Sequence, residues 1–435
     1  MSEKYIVNPS SNINGEISVP GDKSISHRSL ILLSISEGVG KITGLLESDD
    51  CLATLNIIKR MGVEIKKDEN NSYIVHGRGM HGLKEPKENL NCGNSGTSMR
   101  LLTGLLSAQN FSSCLIGDES LSKRPMERIS LPLSKMGADI RLSNNNTAPI
   151  NISPPKKISS IEYNMPIDSA QIKSSIILAS LYAPSNSKII ENINTRNHTE
   201  NIVNYLDGRI ENIKNEITIY PGNKLTAKNI DVPGDISSAM FIIVGSIISN
   251  KSKVIIKNVG INDLRVGAIE ILRLMGAKIE IKNIKSFGEE KIGDVCVFSS
   301  KLSGINIPDK YIASAIDEFP ILFIAAASAS GKTTISNAKE LKYKESDRLS
   351  VMSEGLRSCK INNILRDDGI EIEGGKVHGG TIDSYGDHRI AMSFSIAGLI
   401  SEEPITILNT ENISTSFPNF YDLVKGMGLN IEREF

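Results

Sequence analysis

The chain has 435 residues, 40 % of them hydrophobic and 23 % charged, and its 49 Lys and Arg against 50 Asp and Glu leave a formal net charge of −1. That length suggests roughly two to four domains with ample core, and the balanced charge argues against bulk nucleic-acid binding, so any anion recognition must be local. Five scattered cysteines (Cys51, Cys92, Cys114, Cys296, Cys359) form no CxxC pair, which indicates neither a disulfide framework nor a zinc site and fits a reducing cytosol.

The first stretch, MSEKYIVNPSSNINGEISVP, has no apolar segment of the kind a secretory signal needs. Its β-like run ends in Pro20-Gly21-Asp22, and Lys23, Ser24 and Arg28 then open an apolar helix, SISHRSLILLS. The same pattern of strand, Asx, polar turn and apolar helix recurs. It is seen in CGNSGTSMRLLTGLLS (92–107), PIDSAQIKSSIILAS (166–180), VPGDIS (232–237), AIDEFPILFIAAAS (315–328) and YGDHRIAMSFSIAGL (385–399). The predicted caps are Asp22, Asn94, Asp168, Asp235, Asp317 and Asp387, spaced about 70 to 80 residues apart, so six units fill the chain. Met-Gly pairs at 61–62, 136–137, 275–276 and 427–428 each follow a helical run and precede a short alternating strand, and Gly suits the position just past a helix. Upstream lies a second polar helix start in each unit: LESDDCLAT, LSKRPMERI, NTRNHTENI, INDLRVGAI, KYKESDRLS and STSFPNFYD. One unit therefore reads strand–helix–strand–helix–strand, an α/β pattern. The longest apolar runs, such as FPILFIAAA at 319–327, are too short to cross a bilayer.

A helix N-terminus exposes unpaired N–H groups and about half a positive charge. Six symmetry-related starts facing one space would form an anion receptacle. Six Asx caps alone are explained by helix stabilisation. The cations are not, because Lys23, Arg28, Arg100, Lys173 and Arg389, then Arg124, Arg196, Arg265, Lys344 and Arg348, crowd helix starts and oppose the dipole there. As a set they point to bound anions.

Other motifs fall away. SASGKTT (328–334) lacks the first glycine of a phosphate loop, where Ala326 stands, and reads as a helix end and turn. No GxGxxG follows a strand and no GxSxG occurs. The six histidines do not cluster at metal-ligand spacing; His27, His198 and His388 sit in motif turns, where a local hydrogen bond competes with catalysis. No cofactor and no metal are expected.

PGDKSISHRS, GNSGTSMR, KRPM, DSAQIKSS, TRNHTE, PGDISSA, IDEFP, KESDRL, GDHRIAM and TSFP occur in the order of one family. Across essentially the whole chain the sequence resembles the 5-enolpyruvylshikimate-3-phosphate (EPSP) synthases. Its GDK, SAQxK and RxHxE variants resemble the class associated with weaker inhibition by glyphosate. The resemblance implies a two-domain enolpyruvyl transferase fold, an inside-out α/β barrel with three repeats per domain. Residues 22–234 would be an inserted domain and residues 1–21 plus 235–435 the other. The hinges would lie near Gly21 and Gly234 and the site in the cleft between the domains, closing on ligand. It implies a cytoplasmic monomer with phosphoenolpyruvate (PEP) and shikimate 3-phosphate as substrates, glyphosate as a candidate inhibitor, and no nucleic-acid or membrane partner.

Residue roles follow from the resemblance. Lys23 would touch both substrates, and Ser24 and Arg28 would hold the shikimate carboxylate. Ser169 and Gln171 would hold shikimate 3-phosphate, with Lys173 and Arg196 neutralising its phosphate. Arg124, Arg348 and Arg389 would clamp PEP beside Asn94, with Gly96 allowing close backbone approach and Gln171 reaching PEP as well. Asp317 would take the 5-hydroxyl proton, Lys344 would assist while contacting shikimate 3-phosphate, and Glu345 would carry protons at C3. A salt bridge from Glu345 to Arg348, three residues on, is the competing reading of that side chain. Ala170, NDLR at 262–265, Glu340 and Thr415 depart from the family pattern, which leaves Arg265, Glu340 and a C-terminal substrate contact without assigned roles. The sister family that transfers enolpyruvyl to UDP-N-acetylglucosamine carries a loop Cys where Glu119 stands and Lys-Asn where Lys23-Ser24 stands. A non-catalytic anion-binding module is the third reading, and Asp317 with Lys344-Glu345 argues against it.

Overall fold

Helices form where apolar runs follow a capping residue, and six of them are buried on nearly every side. A computed structural model describes residues 3–10, 12–288 and 290–435. It divides into two compact units: Gly21–Val232 with Ser286–Glu290, and Met1–Pro20 with Pro233–Lys285 and Lys291–Phe435. Each unit has its own hydrophobic core.

In the first unit the helices are α1 (Lys23–Ser34), α2 (Asp49–Arg60), α3 (Gly96–Leu106), α4 (Glu127–Lys135), α5 (Ala170–Ser180) and α6 (His198–Tyr205). The middle repeat shows the plan. Strand Leu90–Asn91, α3 and strand Ser113–Ile116 begin a sheet in which the two strands run parallel, as a helical crossover requires. Next comes α4, and then the antiparallel strands Asp139–Arg141 and Ile150–Ser153. The third repeat matches it, with strands Glu162–Asn164, Ser187–Ile190, Arg209–Ile213 and Glu216–Tyr220. The first repeat takes its edge strand, Ile230–Asp231, from the end of the unit, where it runs parallel to Ile42–Thr43. Strands such as Ser113–Ile116 alternate buried and part-buried residues at period two, with one face on the core.

Every residue of α1 from Ile25 to Ser34 is buried, as is every residue of α5 from Ile172 to Ser180. A helix buried all round belongs inside, and α1, α3 and α5 form the inner layer. Close approach of α3 to α5 depends on Gly104, where a Cβ would lie 2.2 Å from the Ser175 carbonyl oxygen.

The second unit repeats this with α7 (Ile236–Ile248), α8 (Gly267–Leu274), α9 (Ile312–Ala315), α10 (Phe319–Ser328), α11 (Arg348–Ser358), α12 (His388–Ala397) and α13 (Phe420–Met427). Strand Gly15–Ser18 runs parallel to Lys253–Gly260. Strand Lys4–Val7 lies between Ile405–Leu408 and Ile431–Glu434. The middle repeat has a three-stranded sheet, and isolated parallel bridges (Ser303 to Ser330, Asn306 to Thr334) stand in for a fourth strand. Its inner helices are α7, α10 and α12; FPILFIAAA is the core of α10. Among the described residues no helix is long and apolar enough to cross a membrane.

The α/β character matches the sequence reading, with two differences. Repeats end in an antiparallel strand pair rather than one strand; in the middle repeat of the first unit the added strand, Ile150–Ser153, lies between Ser113–Ile116 and Asp139–Arg141. Of the six predicted caps, only Asp22, Asp235 and Asp387 accept a first-turn N–H. Ser95 caps α3 in place of Asn94, Ser169 occupies the N-cap position of α5 in place of Asp168, and Glu318 that of α10 in place of Asp317. The displaced side chains are bonded elsewhere: Asn94 to Asp118, Asp168 to the N–H groups of Asn192 and Ile193, and Asp317 to Lys344. SASGKTT holds the end of α10, a turn with Gly331 at φ +83°, and the strand Lys332–Ile335.

Candidate functional site

In the first unit the inner helices carry their polar residues at their starts. Asp22 accepts the Ile25 N–H at 2.8 Å and fixes the first turn of α1. This places Lys23 half-buried in an ion pair with Asp50. Arg28, one turn on, is 3 % exposed. Its Nε donates to Thr199 (2.7 Å), one terminal nitrogen to the Ser24 carbonyl (2.9 Å), and the other to Ser174 (2.8 Å). Arg196 reaches the Ser24 hydroxyl at 3.4 Å. Burial first, and then the charge of Arg196, pulls Arg28 down to about 10. Arg28 is still a cation at neutral pH, and two guanidinium groups around one serine are a place where a bound anion would offset an existing cost.

The second cluster lies across α3 and α5. Arg124 donates to Asn94 at 3.0 Å, and Asn94 in turn to Asp118 at 2.7 Å. Arg100 donates to Gln171 at 2.8 Å, and Gln171 to Thr97 at 3.0 Å. A Cβ on Gly96 would lie 2.8 Å from Arg100 Nη1 and 3.3 Å from Arg124 Nη1, so both guanidinium groups pass directly over this backbone. Ser169 spends no side-chain hydrogen bond on capping.

Lys173 departs from the expectation that it neutralises the substrate phosphate, because its side chain is fully buried. Its ammonium lies 3.0 Å from Glu191 and 2.8 Å from Glu200, and it donates to the Thr195 carbonyl at 3.0 Å. A cation enclosed by two carboxylates is a packing element and is not presented to a ligand. His27 and His198 resolve toward local bonds, His27 to Thr54 at 2.8 Å and His198 to Glu290 at 2.6 Å. Burial, then Lys23 and Arg28, hold His27 well below the ordinary histidine range.

The second unit holds the remaining residues. Asp317 meets Lys344 at 3.1 Å, and Arg348 Nη1 lies 3.9 Å from the same carboxylate oxygen. Arg348 is 1 % exposed. Its Nε donates to Asp387 at 2.8 Å and its Nη2 to Glu345 at 2.6 Å. Burial would lower the Arg348 pKa, but Asp387, Glu345 and Asp317 together raise it. Burial likewise opposes ionisation of Asp387, and the Arg348 charge overcomes it and holds the carboxyl below its ordinary range. The bridge between Glu345 and Arg348 is thus formed, while Glu345 keeps its side chain 27 % exposed. Arg389 donates to the Asp317 carbonyl at 2.6 Å. Arg265 is buried and donates to Ser237 at 2.7 Å. Glu340 sits in the turn Lys339–Tyr343 that leads to Lys344, and Thr415 closes its own turn by donating to the Asn412 carbonyl at 2.6 Å.

The sequence reading missed four carboxylates that organise these cations: Asp50, Glu191, Glu200 and Glu318. Asp50, Glu200 and Glu318 stand in quoted motifs, LESDDCLAT, TRNHTE and AIDEFP, but their partners are distant in the chain.

Comparison with known proteins follows the same lines. The family model described as EPSP synthase (3-phosphoshikimate 1-carboxyvinyltransferase) matches residues 7–424. A 3-phosphoshikimate 1-carboxyvinyltransferase of Legionella pneumophila (strain Lens) is 48 % identical over 428 residues, covering 98 % of this chain and 99 % of its own. One from Hydrogenovibrio crunogenus is 47 % identical over 435 residues, covering 98 % of each. The solved structure of EPSP synthase from Acinetobacter baumannii superposes with a TM-score of 0.90 at 46 % identity, covering all of both chains. The two helix-start clusters therefore sit in a chain that belongs to the EPSP synthase family.

Proposed function

We propose that the chain transfers the enolpyruvyl group of PEP to the 5-hydroxyl of shikimate 3-phosphate, giving 5-enolpyruvylshikimate 3-phosphate and inorganic phosphate. The observation that carries this is the concentration of cations and carboxylates at the starts of the inner helices in both units. Each substrate bears a phosphate and a carboxylate, and both charges need cationic partners.

In the first unit Lys23, Ser24, Arg28, Ser169, Gln171 and Arg196 take shikimate 3-phosphate, with Arg28 on the Ser24 carbonyl and Arg196 on its hydroxyl. Lys23, Asn94, Gly96, Arg124 and Gln171 serve PEP, as do Arg348 and Arg389. Gly96 keeps Arg124 close to the backbone. Arg348, anchored through Nε and Nη2, would reach PEP through Nη1 alone.

Addition joins the 5-oxygen to C2 of PEP, its proton passes to Asp317, and C3 gains a proton. Elimination then removes a proton from C3, breaks the bond from C2 to the phosphate oxygen, and releases phosphate. Asp317 is the base at the hydroxyl, with Lys344 at 3.1 Å to offset charge there and contact shikimate 3-phosphate. Glu345, tied to Arg348 yet part-exposed, carries the C3 proton between the two steps. The test is phosphate release by purified protein from PEP with either acceptor. Release with shikimate 3-phosphate and none with UDP-N-acetylglucosamine supports the assignment. Turnover only with the sugar nucleotide overturns the acceptor, and no turnover with either leaves a binding module.

A further inference from the structure

We infer that Glu318 is a positioning residue that holds Arg389 in place for PEP; the inference rests on the reading that Arg389 binds PEP. Glu318 is 1 % exposed and occupies the first position before α10, yet makes no capping bond to that helix. Its carboxylate is spent on other elements. One oxygen accepts the Ser237 hydroxyl at the start of α7. The same oxygen lies 3.5 Å from Arg265 and 3.5 Å from Nη1 of Arg389 at the start of α12. Arg265 also donates to Ser237 at 2.7 Å and stands 3.8 Å from Asp235. Glu318 is therefore the joint at which the starts of α7, α10 and α12 meet. This also gives Arg265, left without a role by its sequence, a place as the second cation of that joint.

Arg389 is the second residue of α12, where the helix dipole repels a cation. Something must hold it there. Its described bonds all run through Nη1, to the Asp317 carbonyl at 2.6 Å and to Glu318 at 3.5 Å. Nε and Nη2 have no protein partner among the described residues, which leaves one edge of the fork for a carboxylate or phosphate. Glu318 thus fixes the guanidinium from behind by one nitrogen while the other two are presented.

Electrostatics and positioning predict opposite signs. Removing a buried negative charge behind Arg389 should, by charge alone, tighten binding of an anion. Releasing Arg389 from its anchor should weaken it. We therefore compare full-length wild type, Glu318→Gln, Glu318→Asp, Arg389→Gln and the double variant Glu318→Gln with Arg389→Gln. The readouts are KM for PEP, kcat, calorimetric binding of shikimate 3-phosphate alone, and circular dichroism. The expected result is a PEP KM raised about tenfold in Glu318→Gln, partial recovery in Glu318→Asp, and shikimate 3-phosphate binding within about twofold of wild type. The double variant should be no worse than Arg389→Gln, as for residues acting through one another. A PEP KM that is unchanged or lower in Glu318→Gln, with Arg389→Gln still raising it, overturns the inference, as do additive effects. Equal loss for both substrates with lost ellipticity makes Glu318 merely structural and also overturns it. Should Glu318→Gln not fold, the Glu318→Asp comparison decides by the same criteria. An unchanged PEP KM in Arg389→Gln overturns the underlying assignment and the inference with it.

Discussion

Replacing Lys173 with Met separates a packing cation from a phosphate ligand. The wild-type ammonium is fully buried 3.0 Å from Glu191 and 2.8 Å from Glu200. At an effective dielectric constant of about 20, each attraction is worth about 5 to 6 kcal/mol before desolvation is charged against it. Met fills similar space but leaves two buried carboxylates facing each other. Breaking a buried pair in this way costs about 3 to 5 kcal/mol, a large part of a typical total of about 5 to 15 kcal/mol. The assay is urea unfolding followed by circular dichroism, beside KM for shikimate 3-phosphate. Lys173→Met should unfold at markedly lower urea, and adding Glu200→Gln should recover part of the loss by removing one stranded charge. Because Glu191 also accepts the Thr195 N–H at 3.2 Å, the segment leading to Arg196 should loosen with it. An unfolding midpoint equal to wild type, with a raised KM for shikimate 3-phosphate, would refute this reasoning and restore Lys173 to the phosphate.

Three other outcomes follow from local geometry. Gly96→Ala places a methyl 2.8 Å from Arg100 Nη1 and 3.3 Å from Arg124 Nη1. These are tips of flexible side chains, so the melting temperature should hold while KM for PEP rises severalfold; a lowered melting temperature with unchanged KM would contradict it. Gly104→Ala meets the Ser175 carbonyl oxygen at 2.2 Å, where backbone must move. It should lose about 1 to 3 kcal/mol in spite of alanine's better helix propensity, and an unchanged denaturation midpoint would count against the close packing of α3 on α5. For Asp387, the folded carboxyl lies below its unfolded value of about 3.9, so its contribution is complete above that pH and is lost as pH falls through the folded value. Asp387→Asn should thus be destabilised at pH 7, with a gap that begins to narrow only below about pH 4 and closes as pH falls through the folded value. A stability gap that stays constant down to pH 3 would contradict the pairing with Arg348.

The repeats were legible because each inner helix is an apolar run opened by a polar residue, and both signals are local. Cap positions were legible only to within a residue. In GNSG and DSAQ an Asx and a Ser stand side by side, and the backbone chose Ser95 and Ser169. Of each terminal strand pair, the member after Met-Gly, such as Asp139–Arg141, was legible, and its partner, such as Ile150–Ser153, was not, having no such marker before it. The resemblance and a place near a helix start put Lys173 among ligand-binding cations; its burial depends on Glu191 and Glu200, 18 and 27 positions away in sequence. Glu318 was passed over for a similar reason, since its partners Ser237, Arg265 and Arg389 come from three other segments.

The claim beneath all of this is that anionic substrates are held at the starts of the inner helices in both units. Backbone hydrogen exchange, measured without ligand and with shikimate 3-phosphate plus PEP, tests it directly. Slowed exchange is expected just after Asp22, Ser95 and Ser169 in the first unit and around Glu318, Arg348 and Arg389 in the second. Protection confined to one unit, or lying away from these helix starts, would contradict the account.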